Sequence, residues 1–200
     1  MINLDRVVYP GGIVLVSASP RRREYMAHLG VAFTTTQADV DETFGKGCVQ
    51  QEVVALAQKK ALSVAAQYPN ALVIGADTVV FLKDVGVLGK PKDQTDAHRM
   101  LRALSGAQHT VYTGVCLHDT AFGRTYLHCE ATLVHFAPLT DEELDEYILT
   151  GEPMDKAGAY GIQGFGGKFI TAISGCFYNV AGFPLNRVYN MLQTALSHGS

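Results

Sequence analysis

The stretch Ile13–Gly30, IVLVSASPRRREYMAHLG, constrains this chain more than any other. Ile13-Val14-Leu15-Val16 is an apolar, largely β-branched run of the length of a buried strand. Ser19 then stands where a helix N-cap belongs, and Pro20 sits at the first helical position, where its missing N–H costs nothing. Arg21, Arg22 and Arg23 crowd the first turn, against the helix dipole, each at a cost of about 0.3–1 kcal/mol. Such a triplet either bends away into water or, with the Ser17-x-Ser19 turn and the helix N-terminus, forms a trap for phosphate.

Downstream, Gly30 is a helix stop and Val31–Thr36 a second strand. Asp39, Asp41 and Glu42 cluster before Gly45, either as a solvated acidic loop or as carboxylates for a hard divalent cation. Val49–Tyr68 has helical periodicity, with Val53, Leu56, Ala57, Val64 and Tyr68 on one apolar arc. Lys60 falls inside that arc. It either snorkels along the apolar edge or meets an anion. In Ala71–Leu82, ALVIGADTVVFL, Asp77 and Thr78 are the only polar residues between two hydrophobic runs. A carboxylate there is an ordinary turn aspartate, or else it must be paired, metal-bound or protonated, with a pKa set by its surroundings.

Lys83–Gly89 reads as a hairpin turn that delivers Lys90, and Thr95–Leu104 as a helix. The alternating stretches His109–Leu117 and Thr125–Phe136 read as an antiparallel hairpin joined through Asp119–Gly123. Thr140-x-x-Glu143 is a capping box opening a helix to Leu149. Gly151–Gly167, GEPMDKAGAYGIQGFGG, then places six glycines in seventeen residues around Asp155, Lys156 and Gln163. Such a segment is either a flexible connection or a wall along which backbone N–H groups approach a ligand, with the Gln163 amide able to read a base edge. Lys168–Ser174 is a further strand and Pro184–Leu196 a closing helix.

Composition narrows the function classes. A 200-residue chain that is 48% hydrophobic supports one domain, or one domain folded as two lobes. A net charge of −3 argues against a general nucleic-acid binder and makes any anion site local. Cys48, Cys116, Cys129 and Cys176 lack metal-ligand spacing, as expected of reduced thiols in a cytoplasmic protein. Met1–Pro10 has no signal-peptide core, and the run at Ile13 is too short to span a membrane.

In order and spacing from about Ile13 to Leu196, the motifs SASPRRR, GADTVV, LGKP, LSGAQHTVYTGV, EPMDKAGAYGIQGFGG and NVAGFPL resemble the Maf family of nucleotide pyrophosphatases. DKAGAYGIQG resembles the branch acting on dTTP and UTP. The departures are an extension over residues 1–12, an inserted hairpin around Val85–Leu88, and Phe183 where leucine is usual.

The resemblance implies one Maf-like domain over residues 1–200. Its expected α/β fold is a long mixed β-sheet flanked by helices, two lobes with a central cleft, related to inosine-triphosphate pyrophosphatases. It implies hydrolysis of dTTP, UTP or modified pyrimidine nucleotides between the α and β phosphates, with Mg²⁺ or Mn²⁺ as cofactor. Members are often dimeric, which makes a second copy an expected partner; no stable nucleic acid and no membrane are expected.

By the same resemblance Asp77 is the proton acceptor, Glu42 is the acidic-loop residue, and Lys60 and Lys90 serve catalysis from the phosphate side; Asp77 acts as base, as metal ligand together with Glu42, or as both. Arg22 is also on the phosphate side, and Arg21, Thr78 and Gln163 govern substrate choice. Ser17, Ser19, Asp155 and Lys156 complete the expected substrate contacts. A rival expectation is a regulator of cell division or septum formation that binds nucleotide or nucleic acid without turnover. The negative charge and the lack of interleaved aromatics weigh against it.

Overall fold

A computed structural model describes residues 9–45 and 47–197. Met1–Val8, most of the expected extension over residues 1–12, lies outside the described residues. The elements run β1 (Ile13–Val16), α1 (Pro20–Ala27), β2 (Thr34–Thr36), α2 (Val49–Ala65), β3 (Leu72–Leu82) and β4 (Gly86–Leu88). Then follow α3 (Gln94–Leu104), β5 (Gln108–Asp119), β6 (Arg124–Phe136), α4 (Asp141–Leu149), β7 (Ile170–Ser174), α5 (Phe177–Val180) and α6 (Leu185–Ser197). The strands form one seven-stranded mixed sheet in the order β2-β1-β3-β5-β6-β7, with β4 paired to β3. This is the expected α/β class, a mixed sheet with helices.

Local signals set most of these elements. Ser19 caps α1, its hydroxyl accepting from the Arg22 amide at 3.4 Å, with Pro20 in the first turn. Thr140 and Glu143 complete both bonds of the capping box on α4. β1 runs parallel to both neighbours, Val14–Val16 opposite Thr34–Thr36 and Ile13–Val16 opposite Leu72–Gly75. Because β1 is four residues long, β2 is confined to Thr34–Thr36 and does not begin at Val31. α2 closes at Ala65, which leaves Tyr68 in the turn beyond it. β7 starts at Ile170 because Phe165–Phe169 winds into a 3₁₀ turn.

The chain divides into two compact units. Among the described residues the first comprises 9–77, 113–130 and 182–197. Its core holds Val14, Val16 and Val73 of the sheet against Ala57, Ala61 and Val64 of α2. Two glycines bring α2 unusually close. A Cβ on Gly75 of β3 would lie 2.3 Å from the Ala57 carbonyl oxygen, and one on Gly114 of β5 would lie 2.3 Å from that of Val53. The helix backbone therefore rests directly on the strands, a contact that any side chain at either position would prevent.

The second unit comprises residues 78–112 and 131–181. Val80, Leu101, Leu104, Val134, Leu144, Tyr147 and Phe169 belong to its core. His109 is buried there at 2% exposure, its Nε2 2.8 Å from the Tyr160 hydroxyl and its ring edge-to-face with Phe136. Its Nδ1 has no hydrogen-bond partner among the described residues, and burial pushes its pKa down from 6.5 to about 4.

Candidate active site

In the first unit, β1, α1, α2 and β3 assemble a charged centre. β3 is a single eleven-residue strand, so Asp77 lies within it and not in a turn between two apolar runs. Its burial, 8% exposed, demands a partner. Lys60 provides it. On the inward face of α2, also 8% exposed, Lys60 places Nζ 2.6 Å from Asp77 Oδ1 and donates to it. The same Nζ lies 2.6 Å from Glu42 Oε1 of the acidic loop, so one ammonium joins two carboxylates. Lys60 thus meets anions in place of snorkelling to water. Its reach depends on the close seat of α2, since Gly75 lies two residues before Asp77 on the same strand.

Arg22 comes in from α1. It donates from Nη1 to the Ala76 carbonyl at 2.8 Å and from Nε to the Gly182 carbonyl at 2.9 Å. Burial lowers its pKa from the ordinary arginine value, and the Asp77 charge opposes that shift. Arg21 is half-buried on the same turn. Arg23 is half-buried and donates to the Ala18 carbonyl at 3.4 Å. Ser17, buried at the end of β1, accepts from the Ser19 amide at 3.1 Å and so shapes the turn into α1. The acidic loop and α2 also enclose a cavity of about 260 Å³ lined by Asp41, Thr43, Phe44, Glu52, Leu56 and Lys59. That is below the roughly 300–1,000 Å³ of ordinary ligand sites, too small for a nucleoside triphosphate.

In the second unit, Thr78 is half-buried on β3 and Lys90 is exposed after β4. Asp155 and Lys156 pair with each other, Nζ to Oδ1 at 2.6 Å, and Lys156 also donates to the Glu152 carbonyl at 2.8 Å. Gln163 is exposed in the glycine-rich segment. That segment is no loose connection. Gly158 and Ala159 both hold left-handed backbone, φ 69° and 60°, and the Gly158 amide donates to the Gly89 carbonyl at 3.0 Å. Its principal anchor is Glu152, which the sequence reading did not single out. The carboxylate accepts from the Tyr147 hydroxyl and from the Phe165 and Gly166 amides. The signal available was an acid at the head of a glycine-rich segment, where backbone amides can approach a carboxylate closely.

Could the centre hold a divalent cation? Among the described residues no three His, Cys, Asp or Glu side chains converge into a ready-made metal cage. Asp77 and Glu42 nonetheless direct hard oxygen donors at one cationic group. Two carboxylates suit a Mg²⁺-like ion, which keeps waters and takes substrate phosphates for the rest of its shell. The donor set fits such an ion.

Chemically, the arrangement offers a buried carboxylate held in place by a lysine, beside an arginine anchored on backbone carbonyls. Comparison with known proteins gives a consistent result. A family model described as Maf-like protein matches residues 12–195. The chain is 49% identical over 182 residues to a dTTP/UTP pyrophosphatase of Pelotomaculum thermopropionicum, covering 90% of this chain and 95% of the relative. It is 48% identical to one of Koribacter versatilis (92% and 94% covered) and 45% identical to one of Clostridium perfringens (90% and 95% covered). No helix among the described residues is long and apolar enough to cross a membrane.

Proposed function

The chain belongs to the Maf family, and from that premise we propose that it hydrolyses nucleoside triphosphates to the monophosphate and pyrophosphate, with dTTP and UTP as preferred substrates. It is a nucleoside triphosphate pyrophosphatase, a hydrolase acting on acid anhydrides. The observation that carries the reading is the Glu42–Lys60–Asp77 arrangement, in a chain nearly half identical to enzymes named for that activity.

The residue roles follow from chemistry. Asp77 orients and deprotonates the water that attacks the α-phosphorus, and its pairing with Lys60 holds it in place. Lys60, Arg22 and Arg21 offset the charge of the phosphates and stabilise pyrophosphate as a leaving group. Lys90 is assigned the same task from the loop after β4, and Ser17 and Ser19 shape the phosphate-binding turn. Asp77 and Glu42 are the residues that would hold Mg²⁺ or Mn²⁺. Bound there, the ion supplies positive charge to phosphate oxygens. Arg21, Thr78 and Gln163 are assigned to substrate choice, and Asp155 and Lys156 to substrate contact. The Gln163 amide suits a pyrimidine edge, since a wrong base that leaves it unpaired costs about 1–3 kcal/mol.

Residues 1–200 act in this reading as one Maf-like domain with 1–12 as an extension, a view supported by a family match that begins at residue 12. A homodimer and a cytoplasmic location belong to the same reading; four cysteines without a disulfide support the latter. The test is a panel of nucleoside triphosphates with Mg²⁺ or Mn²⁺, assayed for pyrophosphate. Release from dTTP and UTP well above ATP and GTP is expected. A purine-selective profile refutes the substrate preference. Tight binding without release from any nucleotide refutes the enzyme and favours the regulator.

A further inference from the structure

The second unit holds a polar anchor that the proposed chemistry does not use. Glu152 follows Gly151 at the foot of α4, and its carboxylate faces the glycine-rich segment. Oε2 accepts from the Phe165 amide at 2.9 Å, and Oε1 accepts from the Gly166 amide at 3.1 Å and from the Tyr147 hydroxyl at 2.8 Å. Tyr147, 1% exposed, in turn accepts from the Gly161 amide at 3.1 Å. The carboxylate therefore holds the turn that carries Gln163 directly at residues 165 and 166 and, through the Tyr147 hydroxyl, at residue 161. Burial alone would raise the Glu152 pKa. The Gly166 and Phe165 amides and the Tyr147 hydroxyl outweigh it and hold the group below its ordinary value, so it stays charged.

The glycines are fitted to this carboxylate. A Cβ on Gly164 would fall 2.1 Å from Glu152 Oε2, and one on Gly166 would fall 2.6 Å from the Tyr147 hydroxyl. Gly164 has φ −108°, a value open to any residue, so the carboxylate and not the backbone excludes a side chain there. The segment is built around an anion supplied by the protein itself. Glycine at these positions serves close approach.

We propose that Glu152 is a positioning residue for base selection, its carboxylate clamping residues 161–167 so that the exposed Gln163 amide is presented to the nucleobase in one orientation. The proposal rests on the reading that Gln163 meets the base, and goes beyond it in naming what sets that side chain's direction. A glutamine placed freely on a mobile turn would pair with either base class at similar cost, and discrimination would shrink.

The experiment compares wild type with Glu152→Gln and Gly164→Ala, which attack the same contact from opposite sides, and with Gln163→Ala. Two readouts are taken: hydrogen exchange at the Phe165 and Gly166 amides without nucleotide, and kcat and KM for dTTP, UTP, ATP and GTP. In both clamp variants exchange at the two amides should speed about tenfold or more, the worth of one charge-assisted hydrogen bond. KM for dTTP should rise and the dTTP-over-purine ratio fall, each about tenfold, with kcat nearly unchanged. Unchanged exchange in both variants overturns the clamp. Faster exchange with intact discrimination, while Gln163→Ala loses it, makes Glu152 merely structural and overturns the proposal alone. Intact discrimination in Gln163→Ala overturns the base-contact reading together with the proposal.

Discussion

Lys60 bridges two carboxylates, Glu42 and Asp77, whereas Asp77 is held by the Lys60 ammonium, so the two residues should fail differently when replaced. Asp77→Asn keeps the shape of the centre and removes the proton acceptor. A fall in kcat of at least about 100-fold is expected, with nucleotide still bound, and rapid-quench pyrophosphate assays measure it. Lys60→Ala takes the shared ammonium from two carboxylates, one of them buried. It should raise KM and lower kcat together, and cost on the order of 3 kcal/mol in urea unfolding, as breaking a buried pair does. Asp77→Asn leaves Lys60 its Glu42 contact, so its loss of stability should be the smaller of the two.

At the scale of elements, the seat of α2 on the sheet is decided by Gly75 and Gly114. Gly75→Ala forces backbone apart and not merely a side-chain tip, so a cost at the upper end of the roughly 1–3 kcal/mol of overpacking is expected. Because the displaced helix carries Lys60, activity should fall even where the variant remains folded; thermal unfolding and turnover on the same sample separate the two effects. The buried His109 gives the second unit an acid limit. Its pKa is about 4 in the fold against 6.5 ordinarily, so between those values the unfolded chain takes up a proton that the folded chain refuses. Stability is therefore full above pH 6.5 and is lost as the pH falls toward 4, by on the order of 3 kcal/mol. His109→Gln, which retains a partner for Tyr160, should flatten unfolding free energy measured across that window.

For the molecule as a whole, chelation is the informative perturbation. Asp77 and Glu42 already share Lys60, and no three-ligand cage stands ready among the described residues. A metal chelator should abolish pyrophosphate release yet leave the thermal midpoint of the nucleotide-free protein in place, because an ion that needs substrate phosphates contributes little without them. How far all this was legible in the sequence depends on the range of each interaction. The Ser19-Pro20 cap, the Thr140–Glu143 box and the apolar run at Ile13 are local and foretell their elements within a few residues. Helical periodicity turned Lys60 inward, and flanking apolar runs stranded Asp77, so two halves of a pair were visible but not their union. The carbonyls that anchor Arg22 and the amides that Glu152 gathers are backbone groups. No residue type advertises them, and only the folded chain brings them into reach.

The four cysteines have a practical consequence. Burial pushes the Cys116 thiol up to about 12 and the half-buried Cys129 thiol up to about 11, and Cys176 is half-buried, while Cys48 is exposed at the N-cap of α2. At neutral pH a maleimide dye should therefore attach to the native protein first at Cys48. A fluorophore there sits at the head of the helix that carries Lys60, a short way along the chain from Glu42, and can report nucleotide and metal binding optically without any assay of turnover.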